Sequence, residues 1–225
     1  MSNVNISSAW VQKLLETLNQ HKSLGPDNIS PRILKELATV LSPFLSKLFQ
    51  QSIDSGELPS DWKLANVCPI YKSGCQKNPG NYHPVSLSSI VSKTLEHIIY
   101  SHIMAHFNKE GLITDNQHGF RQGRSCKTQL DIFVHDIQSS LDKGKEIDAV
   151  FLDFAKAFDT VPHQRLLVKL KSFGINNSII SWISSFLSGR QQQVVVDGVF
   201  SNRVEVMSGV PQGSVLGPLL FFTIY

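Results

Sequence analysis

IDAVFLDFAKAFDTVPH, Ile147 to His163, opens as a short, nearly all-apolar run broken early by Asp148, carries an acid near the end of that run at Asp153, and has another, Asp159, six residues on. A run this short and this apolar has the pattern of a strand buried on both faces. A helix follows quickly: Thr160 and Pro162 mark a start, Leu166, Leu167, Leu170 and Phe173 give one apolar face, and Gly174 ends it. An ionised carboxylate at the mouth of an apolar strand is costly to bury unless a cation or hydrogen-bond donors compensate it. A metal is one such partner for Asp153. Capping the next helix, or pairing with Lys156, is the alternative. Asp159, just before the helix start, reads as a cap or a structural acid.

The flanking chain alternates helical and extended patterns. Ser30 with Pro31 and Ser42 with Pro43 each look like a cap followed by a proline in the first helical turn, and Gly56 reads as a helix stop. WKLANVCPIYKSG (62–74) is strand-like up to Lys72, GNYHPVSL (80–87) is extended, and the two are expected to pair as a hairpin. Residues 89–109 form a long amphipathic helix, and Ser125 is placed to cap another that runs to about Lys143. His102 and His106 fall on the apolar stripe of Val91, Leu95 and Ile98, where histidines pack rather than ligate. Asn177 to Leu187 is again helical, up to Gly189. QQQVVVDGVFSNRVEV (191–206) is a hairpin signal, with Asp197 and Gly198 as the two-residue turn. SGVPQGSVLGPLLFFTIY (208–225) is a glycine-rich loop leading into an apolar helix.

With 225 residues, 41% of them apolar and 17% charged, the composition is that of a globular chain able to bury a core. No apolar run approaches the roughly 20 residues a membrane helix needs, and no secretory signal is evident. Cys68, Cys75 and Cys126 are too few and too scattered for a disulfide framework or a zinc module, which makes a reducing intracellular setting the expectation. A net charge of +3 permits a polyanionic partner without pointing to one.

Taken together, KSLGPDNIS (22–30), WKLANVCPIYKSG, NYHPVSLSSIVSKTLEHII (81–99), QHGFRQGRSC (117–126), FLDFAKAFDTVPH and SGVPQGSVLGPLLF stand in the order and spacing of the reverse transcriptase domain of non-LTR, LINE-like retrotransposons. The chain resembles that family over essentially its whole length. The resemblance implies an α/β (α+β) right-hand polymerase, with helical fingers over 1–60, further fingers strands and helices with a palm-packing helix over 61–145, and a palm over 146–225 that includes a fingers-type hairpin near 191–206. It implies deoxynucleotidyl transfer from dNTPs to a DNA primer on an RNA template, with two Mg2+ ions, or Mn2+ in their place, at the site. Asp153 matches the first metal-binding aspartate, with the Phe154 carbonyl beside it. Phe158 matches the bulky side chain that closes against the sugar 2′ position, although AKAF could equally pack Phe158 into the core. Lys72 and His83 match residues that hold the triphosphate, and Gln212 and Gly213 those that line the nucleotide pocket. Lys22, Arg121, Arg124 and Lys127 lie in segments used around template and primer, where basic side chains meet phosphates.

Two departures from the family pattern carry expectations. NYHP stands where NYRP is usual, and a histidine is a shorter and mostly neutral substitute for a planar phosphate clamp. The sequence stops at FFTIY without an adjacent aspartate pair, so the resemblance implies an incomplete palm sheet, no thumb, and a fragment inactive alone whose missing segments would be supplied in cis. A non-catalytic nucleic-acid-binding module and a group II intron maturase-type relative are the competing functional readings.

Overall fold

A computed structural model describes residues 1–224 as helices arranged around a mixed sheet. The N-terminal part is α1 (Ser8–Glu16), α2 (Pro31–Glu36) and α3 (Ala38–Ser55). Ser30 caps α2 through the Arg32 N–H, with Pro31 in the first turn as expected. The second expected cap is corrected: α3 already begins at Ala38, and Pro43 lies inside it. Proline removes the bond to the carbonyl four residues back, and here the Ser42 hydroxyl donates to that carbonyl, Thr39, at 3.5 Å. Gly56 ends α3 at φ 70°, a left-handed conformation that glycine adopts without strain.

The sheet is built on β1 (Leu64–Tyr71), which pairs antiparallel with β2 (Tyr82–Leu87) as expected. On its other side β1 runs parallel to β3 (Arg190–Val196), with Leu64 opposite Gln191. The Asp197–Gly198 turn, φ 50° and 80°, returns the chain into β4 (Val199–Phe200). β5 (Val204–Val206) then pairs with the first half of β3. The 191–206 hairpin is therefore present, and its parallel seam with β1 adds a long-range joint that local patterning does not reveal.

Five more helices complete the chain: α4 (Ile90–Lys109), α5 (Cys126–Leu141), α6 (His163–Ser172), α7 (Asn177–Leu187) and α8 (Leu216–Ile224). Ser89 caps α4, and Ser125 with Thr128 forms a reciprocal capping box on α5. The core gathers Leu95, Ile98 and Ile99 of α4, Leu166 and Leu170 of α6, Trp182 and Phe186 of α7, and Leu219 and Leu220 of α8. Within it the Trp182 indole N–H donates to the Ser52 hydroxyl at 2.9 Å, satisfying a donor that burial would otherwise strand.

Two local expectations around the opening motif are corrected. Residues 145–154 form no strand. Phe151 and Leu152 are 81% and 84% exposed, because the sheet ends at β2 on one side and at β4 and β5 on the other, leaving this run no pairing partner among the described residues. The following helix begins at His163 with Pro162 as its cap and no side-chain capping bond. The Thr160 hydroxyl turns back to the Lys156 carbonyl, and Asp159 is likewise no cap. No described helix is long and apolar enough to cross a membrane.

Candidate functional site

The loop between β5 and α8 is held from three directions. From one side come residues 158–163: the Val210 N–H donates to the Phe158 carbonyl at 2.7 Å, the Gly209 N–H to the Val161 carbonyl at 3.0 Å, and the Ser208 hydroxyl to the Asp159 carbonyl at 2.9 Å. His163 adds a contact from its ring Nε2 to the Gly209 carbonyl at 2.8 Å. Gly209 has φ 85°, and a Cβ there would stand 2.6 Å from the Asp159 Cα, so any side chain would separate the two segments.

From the sheet side, the Ser86 N–H of β2 donates to the Gln212 carbonyl at 3.0 Å. Gly213 has φ 97° and lies so close to β2 that a Cβ would meet the Ser86 carbonyl oxygen at 2.7 Å. From beneath, the buried carboxylate of Glu96 on α4 accepts the N–H groups of Val215 and Leu216 at 2.8 and 3.3 Å, supplying acceptors for the first turn of α8. Burial pushes the Glu96 carboxyl above its ordinary value, opposed by the nearby Arg190 guanidinium and by those two backbone donors. Burial pushes Arg190 down in turn, with Glu96 opposing. Arg190 also donates to the Phe186 carbonyl at 3.1 Å. Glu96 was not legible as a site residue. The available signal was an acid in TLEHII, one position past a core leucine on a helix otherwise patterned for burial.

Gln212 and Asp159 face a cleft of about 300 Å³ that is also lined by Pro84 and Ser86 of β2 and by Ala65 and Val67 of β1. Phe158, half-buried, stacks on Phe221 with ring centroids 4.8 Å apart and meets Phe120 edge-on at 6.3 Å. It thus packs against the core edge, one residue from the cleft wall. Lys72 and His83 are exposed at the outer end of the β1–β2 hairpin: Tyr71 pairs with Tyr82, and the Lys72 N–H donates to the Asn81 carbonyl at 2.9 Å. His83 lies three residues along β2 from Ser86, roughly 10 Å of strand from the Gln212 contact. Gln212 and Gly213 are thus joined to β2 at Ser86, whereas His83, an odd number of residues away, projects from the opposite face of that strand, and Lys72 lies at the hairpin's outer end.

Asp153 and Phe154 are not brought into that cluster by any strand; both are exposed in the irregular 145–154 segment. Among the described residues no group of three or more His, Cys, Asp or Glu side chains could hold a metal ion. The described residues do not fit a two-cation centre.

The basic residues divide into two sets. Arg121 and Arg124 both reach Asp115, at 3.5 and 3.2 Å, and Arg121 also donates to the Thr114 carbonyl, so this pair braces the 114–124 loop. Lys127 is exposed on the first turn of α5. Lys22 faces Lys93 and His97 of α4: burial and then these neighbouring cations hold His97 below its ordinary value. Lys93 is lowered by burial, with Lys22 adding to the effect and Glu96 opposing it. His102 and His106 are packed rather than ligating. His106 meets the Phe173 carbonyl at 2.7 Å, and His102 packs against Trp10, with ring centroids 5.3 Å apart.

Residues 70–224 match the family described as reverse transcriptase (RNA-dependent DNA polymerase). The chain is 32% identical over 212 residues to the probable RNA-directed DNA polymerase from transposon BS of Drosophila melanogaster, and shows the same identity over the same length to that from transposon X-element. It is also 32% identical over 214 residues to the RNA-directed DNA polymerase from mobile element jockey of that organism. Each alignment covers 94% of this chain and 23% of the relative, so the chain spans about a quarter of the length of these proteins. The ordered motifs and the family match agree: the chain belongs to the reverse transcriptase (RNA-dependent DNA polymerase) family.

Proposed function

We propose that this chain is the nucleotide-receiving part of a retrotransposon RNA-directed DNA polymerase, which extends a DNA primer on an RNA template. The observation that carries this reading is the suturing of the Gln212–Gly213 loop to Ser86 of β2 on one side and to Phe158–Asp159 on the other, which lines one cleft with residues from three distant segments. In this reading Lys72 and His83 meet the triphosphate from the hairpin, and a cation at Lys72 suits a polyanion. Gln212 and the open backbone at Gly213 receive the nucleotide. The Phe158 ring, fixed by Phe221 and Phe120, stands against the sugar 2′ position and disfavours a hydroxyl there. Lys22, with Lys93 and His97 beside it, and Lys127 supply sequence-independent contacts to template and primer phosphates. Asp153, exposed in the 145–154 segment, does not line this cleft.

The test is nucleotide selection. With an RNA template and DNA primer present, the chain should bind a dNTP more tightly than the matching ribonucleotide. Phe158→Ala should reduce that preference by admitting the 2′-hydroxyl. Equal affinity for both sugars, or a preference untouched in Phe158→Ala, contradicts the assignment.

A further inference from the structure

We propose that Asp159 is a positioning residue that sets the orientation of the Gln212 side-chain amide, an inference that rests on Gln212 lining the nucleotide pocket. The Gln212 Nε2 donates to the Asp159 Oδ1 at 3.1 Å. An ionised carboxylate only accepts hydrogen bonds, so the amide must turn its NH2 toward Asp159 and its carbonyl oxygen away from it. A free glutamine amide is a two-way group; this one is given a direction.

The acid is itself anchored through its backbone. Its carbonyl accepts the Ser208 hydroxyl, its Cα lies against Gly209, and the adjoining Phe158 carbonyl accepts the Val210 N–H. Asp159 and the Gln212 loop consequently move as one unit, and the side-chain bond spans a joint whose backbone is already closed. Both residues line the same cleft beside Ser86. The order of the motif also follows from this placement: Phe158 faces the rings of Phe120 and Phe221, while its neighbour turns to the loop across the joint.

The experiment uses the 225-residue chain, isotope-labelled, with the Gln212 side-chain amide as an NMR reporter and a dNTP titrated in the presence of an RNA–DNA template–primer. Asp159→Ala should raise the apparent Kd for the dNTP roughly three- to tenfold, the scale of one hydrogen bond, and should loosen the Gln212 amide before any nucleotide is added. Asp159→Asn keeps the volume and an oxygen that can still accept from the Gln212 Nε2, now as a neutral acceptor, so it should weaken binding less than Asp159→Ala. In the Gln212→Ala background the Asp159 substitution should have no further effect. Thermal midpoints should stay near that of the parent chain, because both side chains are at the surface of the cleft. An undiminished Asp159 effect in the Gln212→Ala background, or a Gln212 amide equally ordered without Asp159, overturns the inference while leaving the pocket intact. A Kd unchanged by Gln212→Ala alone instead overturns the nucleotide reading of the loop, and the positioning role falls with it.

Discussion

Two apolar runs of similar composition meet opposite fates in this molecule. In VLGPLLFF (215–222) Leu216, Leu219 and Leu220 are wholly buried, whereas in AVFLDF (149–154) Phe151 and Leu152 are more than four-fifths exposed. The first run has what burial requires: α4 and α6 to pack on, and the Glu96 carboxylate to satisfy the N–H groups that open its helix. The second has no strand to pair with among the described residues. An apolar pattern states that a segment needs a partner; it does not say where the partner is. The loop of Gln212 and Gly213 is held from three sides, whereas Asp153 lies in a segment that joins no strand.

The largest effect should come from removing the acceptor beneath the buried run. Glu96→Ala leaves one buried and one part-buried N–H group without this acceptor, the buried one costing about 1–3 kcal/mol, and should lower the thermal midpoint more than any single change in residues 145–154. The comparison itself is broken or kept by a matched pair of truncations. Leu220→Ala should cost about 2–5 kcal/mol, while Leu152→Ala should stay within about 0.5 kcal/mol in the same denaturation assay. Equal effects would show that the 149–154 run is buried in solution.

A smaller effect concerns pH. Burial raises the folded-state Glu96 carboxyl above its ordinary value, so folding takes up a proton in the window between the unfolded and the folded value. The stability contributed by this group is therefore greatest at low pH and falls as pH rises through that window. Glu96→Gln, which can still accept both N–H groups, should flatten that part of the stability profile. The smallest effect is at the hairpin: His83→Arg should lower the dNTP Kd severalfold, because a charge-assisted contact is roughly twice as strong as a neutral one. An unchanged or raised Kd would count against His83 as a triphosphate contact.

Much of this was legible in the residues because the deciding signals are local. Ser30 and Ser125 mark helix starts, Gly56 a stop, Asp197–Gly198 a turn, and the β1–β2 hairpin follows from two extended runs close in sequence. What escaped was set by long-range geometry. The parallel β1–β3 seam joins strands far apart in the chain, and Glu96 is recognisable only once Val215 and Leu216 are placed over it. Asp159 looked like a helix cap because it precedes Thr160 and Pro162, yet its side chain is taken by Gln212. Pro43 sits within α3 because the preceding serine donates to the carbonyl that proline leaves unpaired.

The contrast between the held Gln212 loop and the strandless Asp153 segment, together with the nucleotide pocket proposed at that loop, is tested most directly by hydrogen exchange, with and without dNTP and an RNA–DNA template–primer. Without ligands, amides in 215–222 should exchange slowly and those in 147–154 fast, since the former lie mostly in a largely buried helix and the latter in an exposed segment outside any helix or strand. Added ligands should slow exchange at 83–86 and 209–213, where β2 meets the Gln212 loop. Slow exchange across 147–154 in the free chain, or ligand protection that avoids both 83–86 and 209–213, would contradict it.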